Sequence, residues 1–478
     1  MLKHIKNISN SFSTITWIVF ITALLSTVGY GLLFRLGDVR PRIFEYLFGY
    51  FGVFLLYGYT SFHITNKTTL QESNSLKSSD LLLVLFFAVV FRFILLWDYP
   101  FLTDDIYRYL WDGRVWSHGV NPYLYAPASE QLTFLRDQTI HPNINHAEIP
   151  TIYAPVLQFV FRSVYTISPT FFFLKTVVTL FDLGVIALLL VILKILQKDL
   201  RLVLLYAWNP LVIVETAGSG HIDSIGVFFM IAFFLFFIRN QPVLGVLALA
   251  GAVLTKFIAV ILLPLVLLRY LWKKGIALVC IFIAATFLVY LPFLGASSSL
   301  YKALSVYTTK WLFNASLFRI IYNGVAYFHP SDDLDANLMI AKYIVGVFFG
   351  AVYLSLFLRR LRDGYRSSKQ VIFSEWFVLF GAICIVSPTL HPWYLVWLAP
   401  VLVIFPNRAW VAFTGLIFLS YSVLDKYYRE GLWEESTLVL LAIYLPFYAL
   451  LIFDFLQRKG WKRLAAGYKA TRNKIGYE

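Results

Sequence analysis

The densest run of ionisable and aromatic side chains lies at residues 103–114, which read TDDIYRYLWDGR. The rest of the chain is dominated by apolar runs of membrane-spanning length. An ionisable side chain near a bilayer is costly unless it lies in a wet cavity or meets a partner. The acidic pair Asp104 and Asp105 is therefore the first candidate for a site that performs chemistry.

The same segment also has a structural interpretation. Thr103 can cap a helix, and acidic residues in a first helical turn interact favourably with the helix dipole. Asp104, Arg108 and Asp112 follow i, i+4, i+8 spacing, which can form a ladder of surface ion pairs. Because the segment lies beside a membrane, we favour the functional interpretation over the ladder.

Composition defines the protein class. Of the 478 residues, 59% are hydrophobic and only 14% are charged, which indicates a polytopic membrane protein and excludes a soluble enzyme. The net charge of +14 comes largely from short loops and the C-terminal tail, so it reflects membrane orientation and not nucleic-acid binding. Cys280 and Cys384 lie in apolar runs and are interpreted as core residues.

The apolar runs predict an all-α bundle of about 13 to 14 transmembrane helices within a single integral-membrane domain, residues 1–478. The first run is interpreted as a retained signal anchor. The predicted helices cover residues 13–34, 43–63, 80–98, 171–193, 202–215, 223–238, 243–256, 257–271, 275–295, 338–358, 372–387, 392–405, 409–424 and 436–457.

The distribution of Lys and Arg predicts a cytoplasmic N-terminus. The basic loops 194–201, 269–274, 359–369 and 407–408 and the tail 458–478 are then cytoplasmic. The loop that carries Arg35, Arg40 and Arg42 disagrees, because it falls on the outer side.

Two long segments fall on the outer side, at residues 99–170 and 296–337. The first is predicted to contain a helix over 104–117 that ends at Gly119, a turn at Asn121-Pro122, and an interfacial stretch over 152–167. Loops of this length are usually functional or disordered.

The remaining polar side chains collect on this same outer face. A transporter is expected to hold such groups at the midplane, on broken helices of two similar halves, and no such halving is evident. The outer residues are Asp104, Asp105, His118, His141, His146, Glu215, His221, Asp223, Lys256, Lys310, His391 and Asp425.

Several motifs in order resemble the C-type superfamily of integral-membrane glycosyltransferases over residues 80–405. Within that superfamily the chain is most similar to bacterial mannosyltransferase-like members that use a polyprenyl-phosphate sugar. The opening helix pair departs from the simplest family plan. The motifs are Asp104-Asp105 with Tyr107-Arg108-Tyr109, His118-Gly119-Val120-Asn121-Pro122-Tyr123, Trp208-Asn209-Pro210 before Gly218-Ser219-Gly220-His221-Ile222-Asp223, Leu254-Thr255-Lys256-Phe257, and Ser387-Pro388-Thr389-Leu390-His391-Pro392-Trp393-Tyr394.

The resemblance implies an inverting transfer in which an aspartate of the first outer loop is the general base. By position Asp104 is the first choice and Asp105 the second. Asp105 or Arg108 is expected to orient the acceptor, and the neighbouring motif residues Tyr107, Asn121 and Tyr123 are expected to bind substrate. A donor without a nucleotide has no diphosphate that demands Mg²⁺, so no metal and no cofactor are expected.

Lys256 interrupts an apolar stretch, so it needs an anionic partner or an aqueous opening. A lipid phosphate, Glu215 or Asp223 can be that partner, and snorkelling at a helix end is the alternative. His221 and Asp223 are two residues apart and do not share a helix face, which favours a glycine-flanked turn. They are expected to bind sugar hydroxyls or phosphate, with purely structural hydrogen bonding as the alternative.

His391 lies where prolines break a helix, and it is a candidate for phosphate or leaving-group contact. Trp393 and Tyr394 suit either sugar stacking or an interfacial belt. Lys310, Trp311 and Asn314 are candidates to cap the pocket. His141, His146 and Arg319 are more simply loop residues.

The sequence thus predicts a multi-pass enzyme of a bacterial inner or plasma membrane with its active site on the non-cytoplasmic face. It is expected to transfer a hexose, with mannose favoured, from a polyprenyl-phosphate donor to a glycan or lipid acceptor among membrane lipids. The alternatives are a transporter or flippase of lipid-linked sugars, a non-catalytic scaffold for envelope assembly, and a transferase that modifies lipids with aminoarabinose.

Overall fold

The computed structural model describes residues 14–66, 78–270, 272–296, 299, 312–329, 334–363 and 370–474. Helices dominate these ranges, and the extended pairing recorded within them is an isolated parallel bridge between Phe313 and Thr389. The predicted second outer segment, 296–337, lies partly outside the described residues. Lys310, Trp311 and residues 475–478 also lie outside them.

The first part of the chain forms a helix pair, a third long helix, and two shorter helices before the next long one. Helix α1 packs against both α2 and α3, and α4 packs against α5. These helices are α1 Thr14–Arg35, α2 Ile43–Thr65, α3 Ser78–Leu96, α4 Asp105–Ser117, α5 Pro155–Ile167 and α6 Phe171–Ile195.

A bent pair of helical segments follows α6, and its second segment carries Glu215. Helices α7 (Leu204–Ala207) and α8 (Pro210–Ile213) belong to two segments that meet at a bend of 57°. Pro210 has no amide hydrogen and disfavours helical geometry at Asn209, whose side chain instead accepts the amide of Leu211 at 3.1 Å. A π-helical turn, Val214–Gly218, continues the second segment.

The rest of the described chain alternates long apolar helices with short helices joined by 3₁₀ turns. The 3₁₀ segments used below are Leu291–Ala296 and Pro392–Trp397. The helices are α9 Asp223–Ile238, α10 Pro242–Val253, α11 Leu262–Leu267, α12 Trp272–Tyr290, α13 Leu317–Phe328, α14 Leu334–Asp363, α15 Val371–Val386, α16 Ala399–Ile404, α17 Arg408–Leu416, α18 Val423–Glu430 and α19 Thr437–Lys474.

Six helices of the described residues are long and apolar enough to cross a bilayer, or seven if the bent pair is one span. Val347 on α14 is 76% exposed, as expected for a lipid-facing position. The prediction of an all-α polytopic membrane protein is confirmed. Each of the predicted helical segments has a helical counterpart, although several are short or broken, so the count of about 13 to 14 spans stays a prediction.

The first outer segment folds as the sequence predicts. Helix α4 ends in a Schellman motif, in which the Val120 amide donates to Val115 O at 3.2 Å and the Gly119 amide donates to Trp116 O at 3.1 Å. Gly119 has φ +81°, a conformation that glycine adopts without strain. The predicted interfacial stretch forms α5, and Tyr109 of α4 stacks on its Phe161 at 5.0 Å.

Candidate active site

The acidic pair lies at the start of α4. Asp104 is the N-cap residue and is partly exposed to solvent, while the helix itself begins at Asp105. Thr103 is not the N-cap; its hydroxyl accepts the Asp105 amide at 3.1 Å. The Asp105 carboxylate accepts a hydrogen bond from Asn145 Nδ2 at 2.9 Å. Asp104 is therefore the more available of the two carboxylates.

Arg40 lies beside Asp104 and influences its charge. Its guanidinium donates to both carboxylate oxygens of Asp38, at 2.9 and 2.8 Å, and lies over the rings of Phe101 and Tyr428. Desolvation raises the pKa of the Asp104 carboxyl, which the positive charge of Arg40 opposes and the negative charge of Asp105 reinforces. The loop that disagreed with the predicted orientation therefore supplies a cation to the acidic site.

Arg108 and Asp112 form one step of the predicted ladder, but the pair is buried. Arg108 Nε donates to Asp112 Oδ1 at 2.9 Å, and Asp112 also accepts from Thr151 and from Gln158. Arg108 Nη2 is buried without a partner among the described residues. This network fixes α4 internally, and Asp104 is not part of it.

Three other predicted substrate contacts are hydrogen-bonded within the protein. The Tyr107 hydroxyl is bonded to the Tyr99 hydroxyl. Asn121 Nδ2 donates to Phe293 O at 3.1 Å, and the Tyr123 hydroxyl donates to Tyr153 O at 2.6 Å. Their roles in substrate binding stay predictions. The Asn121 hydrogen bond joins the first outer segment to the 3₁₀ segment 291–296, and the other two lie within the first outer segment.

A column of aromatic rings forms a second part of the site, and we call His221, Trp393 and His391 the histidine–tryptophan stack. Trp393 lies between the two imidazoles, with ring centroids 4.1 Å from His221 and 4.3 Å from His391. Phe313 stacks on His391 at 4.8 Å. Both faces of Trp393 are thus covered by rings, which leaves no face for sugar stacking in this arrangement.

His391 is neutral near pH 7. Burial lowers the pKa of its imidazole to about 3, and the nearby His221 and Lys256 act in the same direction. A contact between His391 and a phosphate would therefore be a hydrogen bond between a neutral donor and an anion, not an ion pair.

His221 is held by Glu215, which the sequence indicates only as an outer polar residue and a candidate partner of Lys256. Its Nδ1 lies 2.8 Å from Glu215 Oε2, and the Tyr421 hydroxyl donates to Glu215 Oε1 at 2.9 Å. Glu215 is fully buried on the π-helical turn, a form that recurs at functional sites. The predicted glycine turn is confirmed: Gly220, with φ +75°, reverses the chain before His221.

Lys256 has the anionic partner that its position requires. Its Nζ donates to Asp223 Oδ1 at 2.7 Å and lies 4.0 Å from the ring centroid of Tyr394. Trp397 Nε1 donates to the same oxygen at 2.6 Å. The Lys256 side chain is 34% exposed, so it stays accessible to an anion while paired.

The acidic pair and the histidine–tryptophan stack lie at the same end of the bundle. A Cβ placed on Gly220 would lie 3.1 Å from Cδ1 of Ile106, the residue after Asp105. The Val156 amide of the first outer segment donates to Leu254 O at 3.1 Å, two residues before Lys256. These contacts bring the segments that carry both groups toward one region; that they form a single site stays a prediction.

The second outer segment also reaches this region. The Phe313 amide donates to Pro388 O at 3.0 Å, and the Leu390 amide donates to Phe313 O at 2.9 Å. Asn314 Nδ2 donates to Leu390 O at 3.0 Å. Asn314 therefore supports the residues before His391 through the backbone, which differs from a role in capping the pocket.

A comparison with known protein families gives a match over one part of the chain. Residues 36–272 match the family model described as alpha-(1->6)-mannopyranosyltransferase, N-terminal domain. These residues belong to a mannosyltransferase family. The predicted resemblance to C-type glycosyltransferases is confirmed. A search of curated proteins found no match.

This mannosyltransferase domain contains α2, the acidic pair, Glu215, His221 and Lys256. Its match ends before His391, Trp393 and Tyr394, so the stack is completed by residues outside the matched region. Among the described residues, no three His, Cys, Asp or Glu side chains are grouped to hold a metal ion.

Proposed function

We propose that this protein transfers a mannosyl group from a polyprenyl-phosphate donor to a glycan or lipid hydroxyl. The match to a mannosyltransferase family is the evidence for mannose as the transferred sugar. The helices long enough to cross a membrane are the evidence for a lipid-linked donor. The observation that carries the proposal is an available carboxylate, Asp104, at the same end of the bundle as an accessible ammonium, Lys256.

The proposed chemistry is a single inverting displacement. Asp104 accepts the proton of the acceptor hydroxyl as the new bond forms between its oxygen and the anomeric carbon. The bond from that carbon to the phosphate oxygen breaks, and its electron pair leaves with the phosphate. The products are the mannosylated acceptor and polyprenyl phosphate, so atoms and charge balance without a cofactor.

Each group near Asp104 has a separate part in this proposal. Lys256 neutralises the departing phosphate, because it is the accessible cation beside the stack, and Asp223 holds its ammonium in place. Asp105 is fixed by Asn145 and orients the acceptor; the buried Arg108 keeps α4 in position. His221 and His391 contact the donor by hydrogen bonds.

We place this site on the non-cytoplasmic face of a bacterial inner membrane. The support for this orientation is the Lys and Arg distribution, which assigns the basic loops and tail to the cytoplasm. The position of Arg40 beside Asp104 removes the main objection to it, since that arginine serves the site.

A donor panel tests the proposal. Purified protein in nanodiscs is incubated with labelled polyprenyl-phosphate mannose, glucose and aminoarabinose and a glycan acceptor, and released polyprenyl phosphate is measured. We expect release with mannose that depends on the acceptor. Movement of intact donor between leaflets without release would instead identify a flippase, and release with aminoarabinose alone would identify the lipid-modifying class.

A further inference from the structure

The proposed reaction does not specify which part of the donor is contacted by His221, which is buried beside Glu215. His221 Nε2 is buried, and no described residue forms a hydrogen bond with it. A buried polar nitrogen without a partner costs free energy, so such an atom in a folded protein calls for a ligand or a water.

Glu215 determines what this nitrogen can bind. Its carboxylate can only accept hydrogen bonds, and the single hydroxyl hydrogen of Tyr421 is shared between its two oxygens, at 2.9 and 3.1 Å. The close contact at 2.8 Å with His221 Nδ1 therefore places the ring hydrogen on Nδ1. In the neutral ring, Nε2 is then a hydrogen-bond acceptor.

An acceptor nitrogen distinguishes between the two chemical parts of the donor. Phosphate oxygens are acceptors too and gain nothing from a lone pair, whereas each sugar hydroxyl can donate to it. Lys256 already supplies the cation for the phosphate at this end of the bundle. A hydrogen on His221 Nε2 would have no acceptor among the described residues, which is unfavourable for a buried group.

The orientation of the His221 ring fixes the direction of the Nε2 lone pair, which lies in the ring plane. Trp393 stacks on one face of this ring, within 18° of parallel, so a hydroxyl that donates to Nε2 approaches along the ring edge. Trp393 itself is only partly buried and lies on the 3₁₀ segment 392–397, which follows extended residues instead of continuing a long helix.

We propose that His221 Nε2 accepts a hydrogen bond from one hydroxyl of the transferred sugar, and that Glu215 is the positioning residue that makes it an acceptor. This assignment rests on the proposed function, because it takes the ligand to be a lipid-linked hexose. It makes the pair a determinant of sugar specificity and not a phosphate contact.

The test measures binding, so that it does not depend on transfer. The probes are a phosphonate analogue of polyprenyl-phosphate mannose and a set of deoxy analogues, each lacking one hydroxyl. We expect the full-length wild type to bind one deoxy analogue about tenfold more weakly than the parent compound. His221→Asn keeps a donor near Nδ1 but lacks Nε2, so it should bind parent and that analogue equally.

Two Glu215 variants separate positioning from support of the fold. Glu215→Gln still offers an oxygen to the Nδ1 hydrogen and should keep the discrimination, whereas Glu215→Leu should lose it. Discrimination is a ratio of two affinities measured on the same folded protein, so reduced yield does not change it.

Three results would overturn the inference: no deoxy analogue is distinguished by the wild type, no analogue binds, or His221→Asn keeps the wild-type discrimination. The last would mean that Nε2 holds a structural water. A wild type that discriminates but transfers no mannose would leave this inference standing and reject the proposed reaction.

Discussion

Lys256, in the break that follows α10, forms an ion pair at 2.7 Å with Asp223, the first residue of α9, and Trp397 donates to the same carboxylate. The pair is partly open on the lysine side and buried on the aspartate side. It therefore supplies a cation to the site and also supports the fold.

These two roles can be separated by a double-mutant cycle. Lys256→Met leaves a buried Asp223 charge uncompensated, which typically costs about 3 to 5 kcal/mol. We expect a clear loss of thermal stability in detergent as well as loss of transfer. The double variant Lys256→Met with Asp223→Asn should recover stability but not activity. Recovery of transfer in the double variant would show that Lys256 is structural only.

Replacing Arg40 is predicted to change the pH dependence of transfer. The charge of Arg40 lowers the pKa of Asp104, and a general base must be ionised. In Arg40→Gln that pKa rises, so the acidic limb of the plot of kcat against pH moves to higher pH. At pH values well above the Asp104 pKa, kcat should change little. The matched control is Arg42→Gln, whose side chain is exposed and paired with Glu45. An unchanged profile in Arg40→Gln would separate Arg40 from the base.

The turn before His221 gives a third prediction, in which two glycines are compared. Gly119→Ala meets no atom within 4 Å and suffers only from its positive φ, a cost of about 1 to 2 kcal/mol. Gly220→Ala adds contacts at 2.9 Å with Lys175 Cγ and 3.1 Å with Ile106 Cδ1. Lys175 cannot easily move, since its Nζ donates to Leu95 O and Asp98 O.

We therefore expect Gly220→Ala to be less stable than Gly119→Ala by a further ~1 to 3 kcal/mol and to reduce transfer, because the turn carries His221. Thermal unfolding and transfer assays on both variants provide the comparison. Equal effects in the two variants would contradict the close packing of α4 on this turn.

Local patterns were enough to predict much of this architecture. The apolar runs predicted the helical segments. Gly119 predicted the end of α4, because the positive φ that ends a helix favours glycine. The cost of an unpaired ammonium in an apolar stretch required a partner for Lys256, and Asp223 was among the three considered.

Contacts between distant segments could not be predicted in this way. Arg92 on α3 and Asp182 on α6 are 90 positions apart and form a buried ion pair. The apolar patterns of these two helices do not indicate that they pack together. Glu215 reaches His221 only because the π-helical turn and Gly220 fold the chain back. Arg40 disagrees with the predicted membrane orientation, and nothing in the sequence of its own loop indicates that it lies near Asp104.

The most direct test of the central claim is transfer by Asp104→Asn from polyprenyl-phosphate mannose, with Asp105→Asn as the matched variant. Asparagine keeps the size and position of the side chain but cannot accept the proton. The proposed mechanism predicts that Asp104→Asn binds the donor as wild type does yet releases no polyprenyl phosphate, whereas Asp105→Asn retains measurable transfer. Full activity in Asp104→Asn would contradict its role as the base.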